Sequence, residues 1–231
     1  MLQEVQPELA DLLAADNLAA AFEFCTQAGA GAENVRQKLR REKRALALTL
    51  AIGDLAGRLS LTDVITQLSD FADRALDEAL ADIYATRYPD APLEGFSIIG
   101  LGKHGSRELN YSSDIDPIFI YDPEKIPVRG REEPSDAARR IGQQLVEALN
   151  SRDADGYVFR VDMRLRPSPE VSPVALPVEA AISYYESSAL AWEQAAFIRS
   201  RSAAGDPILG RYFLETINPF IWRRSLDYGA I

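Results

Sequence analysis

Apolar and polar positions change their spacing twice along this chain. From Leu61 onward, apolar side chains recur at Val64, Ile65, Leu68, Phe71, Ala72, Ala75, Leu76, Ala79, Leu80 and Ile83. Steps of three and four keep these residues on one face of a helix. Ser60 stands just before the run with Asp63 three residues on, which predicts a cap and an acid in the first turn. The chain up to about residue 90 reads as helical throughout, with one further helix expected over Glu33–Leu59. Its start, "VRQKLRREKR", reads as a solvated basic face.

"YPDAPLEG" (Tyr88–Gly95) ends this texture, because two prolines and a glycine stop a helix. "FSIIGL" (Phe96–Leu101) then reads as a buried strand and "IDPIFIY" (Ile115–Tyr121) as a second. A helix is expected over Pro134–Asn150, with the proline near its first turn and Ile141, Leu145, Ala148 and Leu149 on one face. "GYVFRVDMRLRP" (Gly156–Pro167) alternates. Tyr157, Phe159, Val161, Met163 and Leu165 point one way; Val158, Arg160, Asp162, Arg164 and Arg166 point the other. Period two predicts a strand with one buried face. Helices are expected again over Val178–Glu186, Ala189–Arg199 and Pro207–Ile217, with Trp192, Phe197, Tyr212, Phe213, Phe220 and Trp222 as core bulk. The class is α+β: a small mixed sheet flanked by helices. Residues 1–93 form an N-terminal helical region, 94–175 the core and 176–231 a C-terminal helical region.

Composition narrows the functions. The 231 residues are 47% hydrophobic and 26% charged, ordinary for a globular protein. No apolar run approaches a membrane span. The first residues are acidic and do not resemble a secretory signal. A single cysteine, Cys25, excludes an internal disulfide and fits the cytoplasm. The net charge of −10 argues against sequence-independent nucleic-acid binding. It leaves room for a small phosphate substrate at a locally cationic or metal-loaded site.

Candidate chemistry concentrates in "GLGKHGSRELNYSSDIDPIFIYD" (Gly100–Asp122). Gly100, Gly102 and Gly105 follow a strand in the G-x-G-x-x-G spacing of a dinucleotide loop, and Asp122 lies where a ribose ligand would be wanted. That fold needs a real helix after the glycines to hold the pyrophosphate. Ser106–Asp114 is nine residues, about 14 Å as helix, too short for a crossover. The aspartates carry more. Asp114 and Asp116 share one face of a strand, about 6.6 Å apart along the chain. Like charges so close repel unless a cation lies between them or one takes a proton. Carboxylates suit Mg²⁺, which binds substrate phosphates. Asp162 adds a third carboxylate, and three can hold two metals for in-line displacement at phosphorus. Arg160, Arg164 and Arg166 flank Asp162; they either meet phosphate oxygens or form salt bridges on a solvated face. A glycine before a hydroxyl residue, Gly105–Ser106, lets backbone N–H groups approach a phosphate, with Lys103 adding charge. His104, the sole histidine, reads as a surface or packing residue rather than a base.

The same residues resemble a known family. "GLGKHGSRELNYSSDIDPIFIYD", "YVFRVDMRLRPSPE", "WEQAAFIRSR" and "PFIWRRSLDYGAI" are similar to successive motifs of the glutamine synthetase adenylyltransferases, also called glutamate–ammonia-ligase adenylyltransferases. The resemblance runs from Gly95 to the end of the chain. It implies a polymerase-β-like nucleotidyltransferase core, Asp114, Asp116 and Asp162 as catalytic metal ligands, and Gly105 and Ser106 as the phosphate loop. It further implies two Mg²⁺, with Mn²⁺ as the alternative ion. Family members carry two catalytic halves. One removes AMP from a tyrosine of glutamine synthetase by phosphorolysis, giving ADP; the other adds AMP from ATP. The chain is too short for both halves. Arg160 and the "PFIWRRSLDYGAI" ending resemble the adenylyl-removing half. The implied partners are adenylylated glutamine synthetase, phosphate and ADP or ATP, and a PII-type nitrogen signalling protein. The alternatives are AMP transfer from ATP, or a regulatory or docking module with an inactive core. His104 and Pro117 each stand where the family usually has leucine. Proline in a strand demands an edge, a bulge or the strand's start.

Overall fold

The computed structural model describes residues 7–222. Four helices come first: α1 (Pro7–Ala14), α2 (Leu18–Gln27), α3 (Val35–Leu55) and α4 (Leu61–Arg87). The α4 start matches its sequence signal. Ser60 Oγ accepts from the Asp63 backbone N–H, and the Asp63 carboxylate accepts from the Ser60 N–H at 2.8 Å. Strand β1 (Phe96–Leu101), a single turn α5 (Gly102–Gly105) and β2 (Asp116–Tyr121) follow, then α6 (Pro134–Asn150). The chain closes with β3 (Ala175–Pro177), α7 (Val178–Ser187), α8 (Ala191–Phe197), β4 (Arg201–Gly205) and α9 (Pro207–Ile221).

The sheet is mixed, in the order β3-β2-β1-β4. β1 runs antiparallel to β2 and β4, and β2 runs parallel to β3. Its two faces divide the core. Phe96, Ile98, Phe119 and Tyr121 pack with α3, α4 and α6. Ile99, Leu101, Ile118 and Ile120 pack with α7, α8 and α9. Helices thus cover both faces, which is why "FSIIGL" is almost wholly apolar and all six residues of β1, Ser97 included, are buried. Pro117 lies near the start of β2, before β3 begins pairing at Phe119, so its missing N–H is tolerated.

Three expectations need correction. Gly156–Pro167 is not a strand. Val158 and Phe159 are consecutive and both buried, and both donate to the Leu149 carbonyl, at 3.0 and 3.1 Å. The segment makes two isolated bridges, Gly156 antiparallel to Asp153 and Val161 parallel to Ile115. Beyond Val161, Asp162 turns the chain by accepting from the Arg164 N–H. Second, the C-terminal helical region contributes a strand, β4, to the sheet edge between its second and third expected helices. "RSAAG" carries no apolar alternation, so nothing local marks it. Third, the basic run of α3 is not simply solvated. Arg40 is 5% exposed and donates to the Ser151 carbonyl at 2.8 Å and to Asp153. Arg36 pairs with Glu147 at 2.9 Å. Lys43 Nζ lies 3.6 Å from the centre of the Phe159 ring. Arg36 and Arg40 fasten α3 to α6 and the loop after it. Among the expected aromatic core residues, Phe197, Phe213 and Phe220 are buried, while Trp192, Tyr212 and Trp222 are largely exposed. The motif residues Arg223 to Ile231 lie outside the described residues.

Candidate active site

The segment "ELNYSSDID" brings the acids to the start of β2 through a side-chain-stapled turn. Asn110 Oδ1 accepts from the Ser112 N–H at 3.1 Å and from Ser113 Oγ at 2.9 Å. The chain then meets the 160s loop at one point. Ile115 N–H donates to the Arg160 carbonyl at 3.0 Å, and Asp162 N–H donates to the Ile115 carbonyl at 2.9 Å. That bridge sets Asp114 and Asp116, on either side of Ile115, beside Asp162. The three sequence-predicted carboxylates are therefore assembled from two segments some fifty residues apart.

Their electrostatics differ. Asp114 accepts from Arg160 Nε at 2.5 Å, and Arg160 also donates to the Ser112 carbonyl at 2.6 Å. Asp162 holds Arg164 Nε at 2.8 and 2.9 Å, and that hydrogen-bonded guanidinium keeps its carboxyl below the usual range. Asp116 carries no such partner. Burial first, then the charges of Asp162 and Asp114, push it up to about 6, with Arg164 opposing. Among the described residues no three His, Cys, Asp or Glu side chains are already disposed around a common point. The two arginines instead lie on Asp114 and Asp162. The donor set nonetheless fits a divalent cation. It offers hard carboxylate oxygens, and Asp116, raised first by burial and then by the charges of Asp162 and Asp114, lies between acids whose arginines bind those acids and not Asp116.

Gly102 and Gly105 shape the turn beside these acids. Gly102 has φ +54, and a Cβ there would stand 3.0 Å from Asp116 Oδ2. At Gly105 a Cβ would fall 1.8 Å from the Arg199 carbonyl oxygen, so only glycine lets that backbone approach. The glycines thus serve close packing, and the chain after α5 is turn rather than crossover helix. Lys103 is exposed on α5. Arg166 is turned away from phosphate work: its Nη atoms donate to the carbonyls of Met163 at 2.7 Å and Pro169 at 2.6 Å, tying its own loop. Arg164, 86% exposed, stays at the acids.

Sequence reasoning missed the supports of the turn. His104 is fully buried, the packing rather than the surface alternative. Its Nε2 meets Asp73 Oδ1 of α4 at 2.8 Å. Arg201 of β4 donates to both Asp73 oxygens, at 2.7 and 2.8 Å, and to the His104 carbonyl at 3.0 Å. These contacts hold Asp73 below the usual carboxylate range against the opposing effect of burial, which is the largest single influence on it. The signal available beforehand was the "WEQAAFIRSR" motif, whose last arginines reach this turn.

A model of the glutamate–ammonia ligase adenylyltransferase family matches residues 1–216. A bifunctional glutamine synthetase adenylyltransferase/adenylyl-removing enzyme of Caulobacter vibrioides is 47% identical over 210 residues, covering 86% of this chain and 21% of that protein. Proteins of the same description from Xanthobacter autotrophicus and Rhizobium meliloti are 42% and 40% identical, over 89% and 85% of this chain. The chain spans about a fifth of the length of these curated relatives. With a family match over nearly its whole length and the acidic motifs assembled at one site, the chain belongs to the glutamate–ammonia ligase adenylyltransferase family.

Proposed function

We propose that this chain is a polymerase-β-like nucleotidyltransferase module that removes AMP from a tyrosine of glutamine synthetase by phosphorolysis. The observation that carries the reading is the bridge at Ile115 that places Asp114 and Asp116 beside Asp162, with Gly102 of the adjoining turn against Asp116 and Asp116 pushed up to about 6 by burial and its neighbours' charge. Crowded carboxylates of this kind are suited to Mg²⁺, or Mn²⁺ in its place, held by all three. When bound, the metal would supply charge neutralisation at the phosphoryl oxygens and at the leaving tyrosine oxygen. The chain's own residues do the rest. The Ser106 hydroxyl, on the turn beside the acids, orients inorganic phosphate. A phosphate oxygen forms the new bond to the adenylyl phosphorus as the bond to the tyrosine oxygen breaks, giving ADP and the free tyrosine. Arg160 and Arg164 exchange their carboxylate partners for phosphoryl oxygens. Most of the acceleration comes from positioning and charge.

Arg160 favours removal of AMP over its addition, because this position resembles the removing half. It sits on Asp114, where it sets the charge of the metal-facing pair. Glutamine synthetase as partner follows from the relatives' names. A PII-type regulator and a cytoplasmic setting belong to the same proposal. No helix among the described residues is long and apolar enough to cross a membrane. The deciding experiment incubates the chain with adenylylated glutamine synthetase and either phosphate or pyrophosphate. Phosphate-dependent ADP release that Asp114→Asn abolishes supports the reading. ATP formation from pyrophosphate would assign the opposite half-reaction, and release unaffected by Asp114→Asn would remove the carboxylate role.

A further inference from the structure

We infer that Arg199 is a phosphate-binding residue of this site and that Glu108 occupies the phosphate's place when the substrate is absent. The inference rests on the reading of Gly105–Ser106 as a phosphate turn and names its missing cation. Arg199 lies more than ninety residues beyond Ser106 in sequence. The missing Cβ of Gly105 lets the Arg199 backbone lie directly against the turn. From there its guanidinium reaches forward, and Nη1 donates to Glu108 Oε2 at 3.1 Å. Ser106 Oγ lies 2.9 Å from the same oxygen. The hydroxyl has one proton and is also near the carbonyls of Gly102, at 3.1 Å, and Lys103, at 3.5 Å; the Glu108 contact is the shortest.

An arginine and a hydroxyl converging on one carboxylate oxygen at the lip of a glycine turn is the donor arrangement that a phosphate oxygen would meet. Neither Arg199 nor Glu108 is locked in place: their side chains are 60% and 49% exposed. The pair is therefore of the kind that contributes little to stability and can open. The next arginine behaves differently. Arg201 is fixed by Asp73 and the His104 carbonyl, which holds the approaching chain in register. Arg199 is left as the reaching cation, and Glu108 as the carboxylate that phosphate displaces. Glu108 then weakens phosphate binding by competing for both donors.

The test measures binding of inorganic phosphate to the 231-residue chain, from the thermal midpoint over a titration at constant ionic strength. Four variants are compared with wild type: Ser106→Ala, Arg199→Ala, Arg199→Lys and Glu108→Gln. Losing a charge-assisted hydrogen bond predicts a weakening of about tenfold for Arg199→Ala. Arg199→Lys recovers part of it, and Glu108→Gln tightens binding several-fold. If Ser106→Ala weakens binding and Arg199→Ala does not, the Arg199 assignment falls and the phosphate turn stands. If wild type binds no phosphate, or Ser106→Ala has no effect, the turn reading falls and this inference with it. Weaker binding by Glu108→Gln overturns the stand-in role of that carboxylate.

Discussion

Asp116→Asn should stabilise the metal-free protein at neutral pH, although it removes a residue placed in the metal site. The ordinary carboxyl value is 3.8, and Asp116 is pushed up to about 6 by burial and by Asp162 and Asp114. The folded state therefore holds a proton between these values that the unfolded chain has released. Stability falls as pH rises from 3.8 through 6, and the loss is complete above that. At full strength the difference is about 3 kcal/mol. Asp116 is only half-buried, and screening by solvent brings this to about 1–2 kcal/mol. For a chain of this length that is about 3–6 °C in melting midpoint. The assay is thermal and urea unfolding with a chelator present, wild type against Asp116→Asn, from pH 4.5 to 7.5. The variant's advantage should grow with pH and level off near neutrality. Adding Mg²⁺ should raise the wild-type midpoint and leave the variant's nearly still. A variant less stable than wild type at pH 7, or a difference that ignores pH, would refute the view that like-charge crowding dominates at Asp116.

Two further outcomes follow from the packing. Burial pushes Lys43 down to about 7 from 10.5, so between those values the unfolded chain binds a proton that the folded one lacks. Stability should then rise with pH across that window, and Lys43→Met should be more stable at pH 6–7 by about 1–3 kcal/mol and flatter in urea titrations; the Phe159 ring beneath Nζ offsets part of the gain. Gly105→Ala must move either α5 or the Arg199 carbonyl, which a Cβ would meet at 1.8 Å, and should cost about 1–3 kcal/mol in chemical unfolding. An unchanged unfolding midpoint would show that the close approach is not obligatory.

What could be read from the sequence depended on the distance over which each element is determined. The helix over Leu61–Arg87, its Ser60–Asp63 cap, and the elements Phe96–Leu101 and Pro134–Asn150 are set by local periodicity and end signals, and they appear where expected. Gly156–Pro167 has the period of a strand, yet Leu149 captures two successive N–H groups and buries Val158 beside Phe159. A contact from the end of α6 outweighs the pattern. β4 is the converse case. Its residues are small and carry little intrinsic signal, and it becomes a strand because β1 has a free edge for it to pair.

The site divides along the same line. "SSDID" and the glycines lie within one stretch and stand out there as candidate chemistry, but what holds them does not. Asp162 reaches Asp116 through the Ile115–Val161 bridge rather than along a paired strand. The two β-segments do not themselves fix the spacing of the three carboxylates. That task falls to side chains: Arg160 ties Asp114 to the Ser112 carbonyl, and Arg164 holds Asp162 to its own turn. These arginines are exposed enough to exchange partners, at 46% and 86%. On the metal-dependent reading proposed above, a carboxylate cluster hung from one bridge and steadied by exposed arginines would contract around a divalent ion without moving the sheet. A fully paired third strand would have fixed the acids at strand spacing and left that adjustment to the backbone.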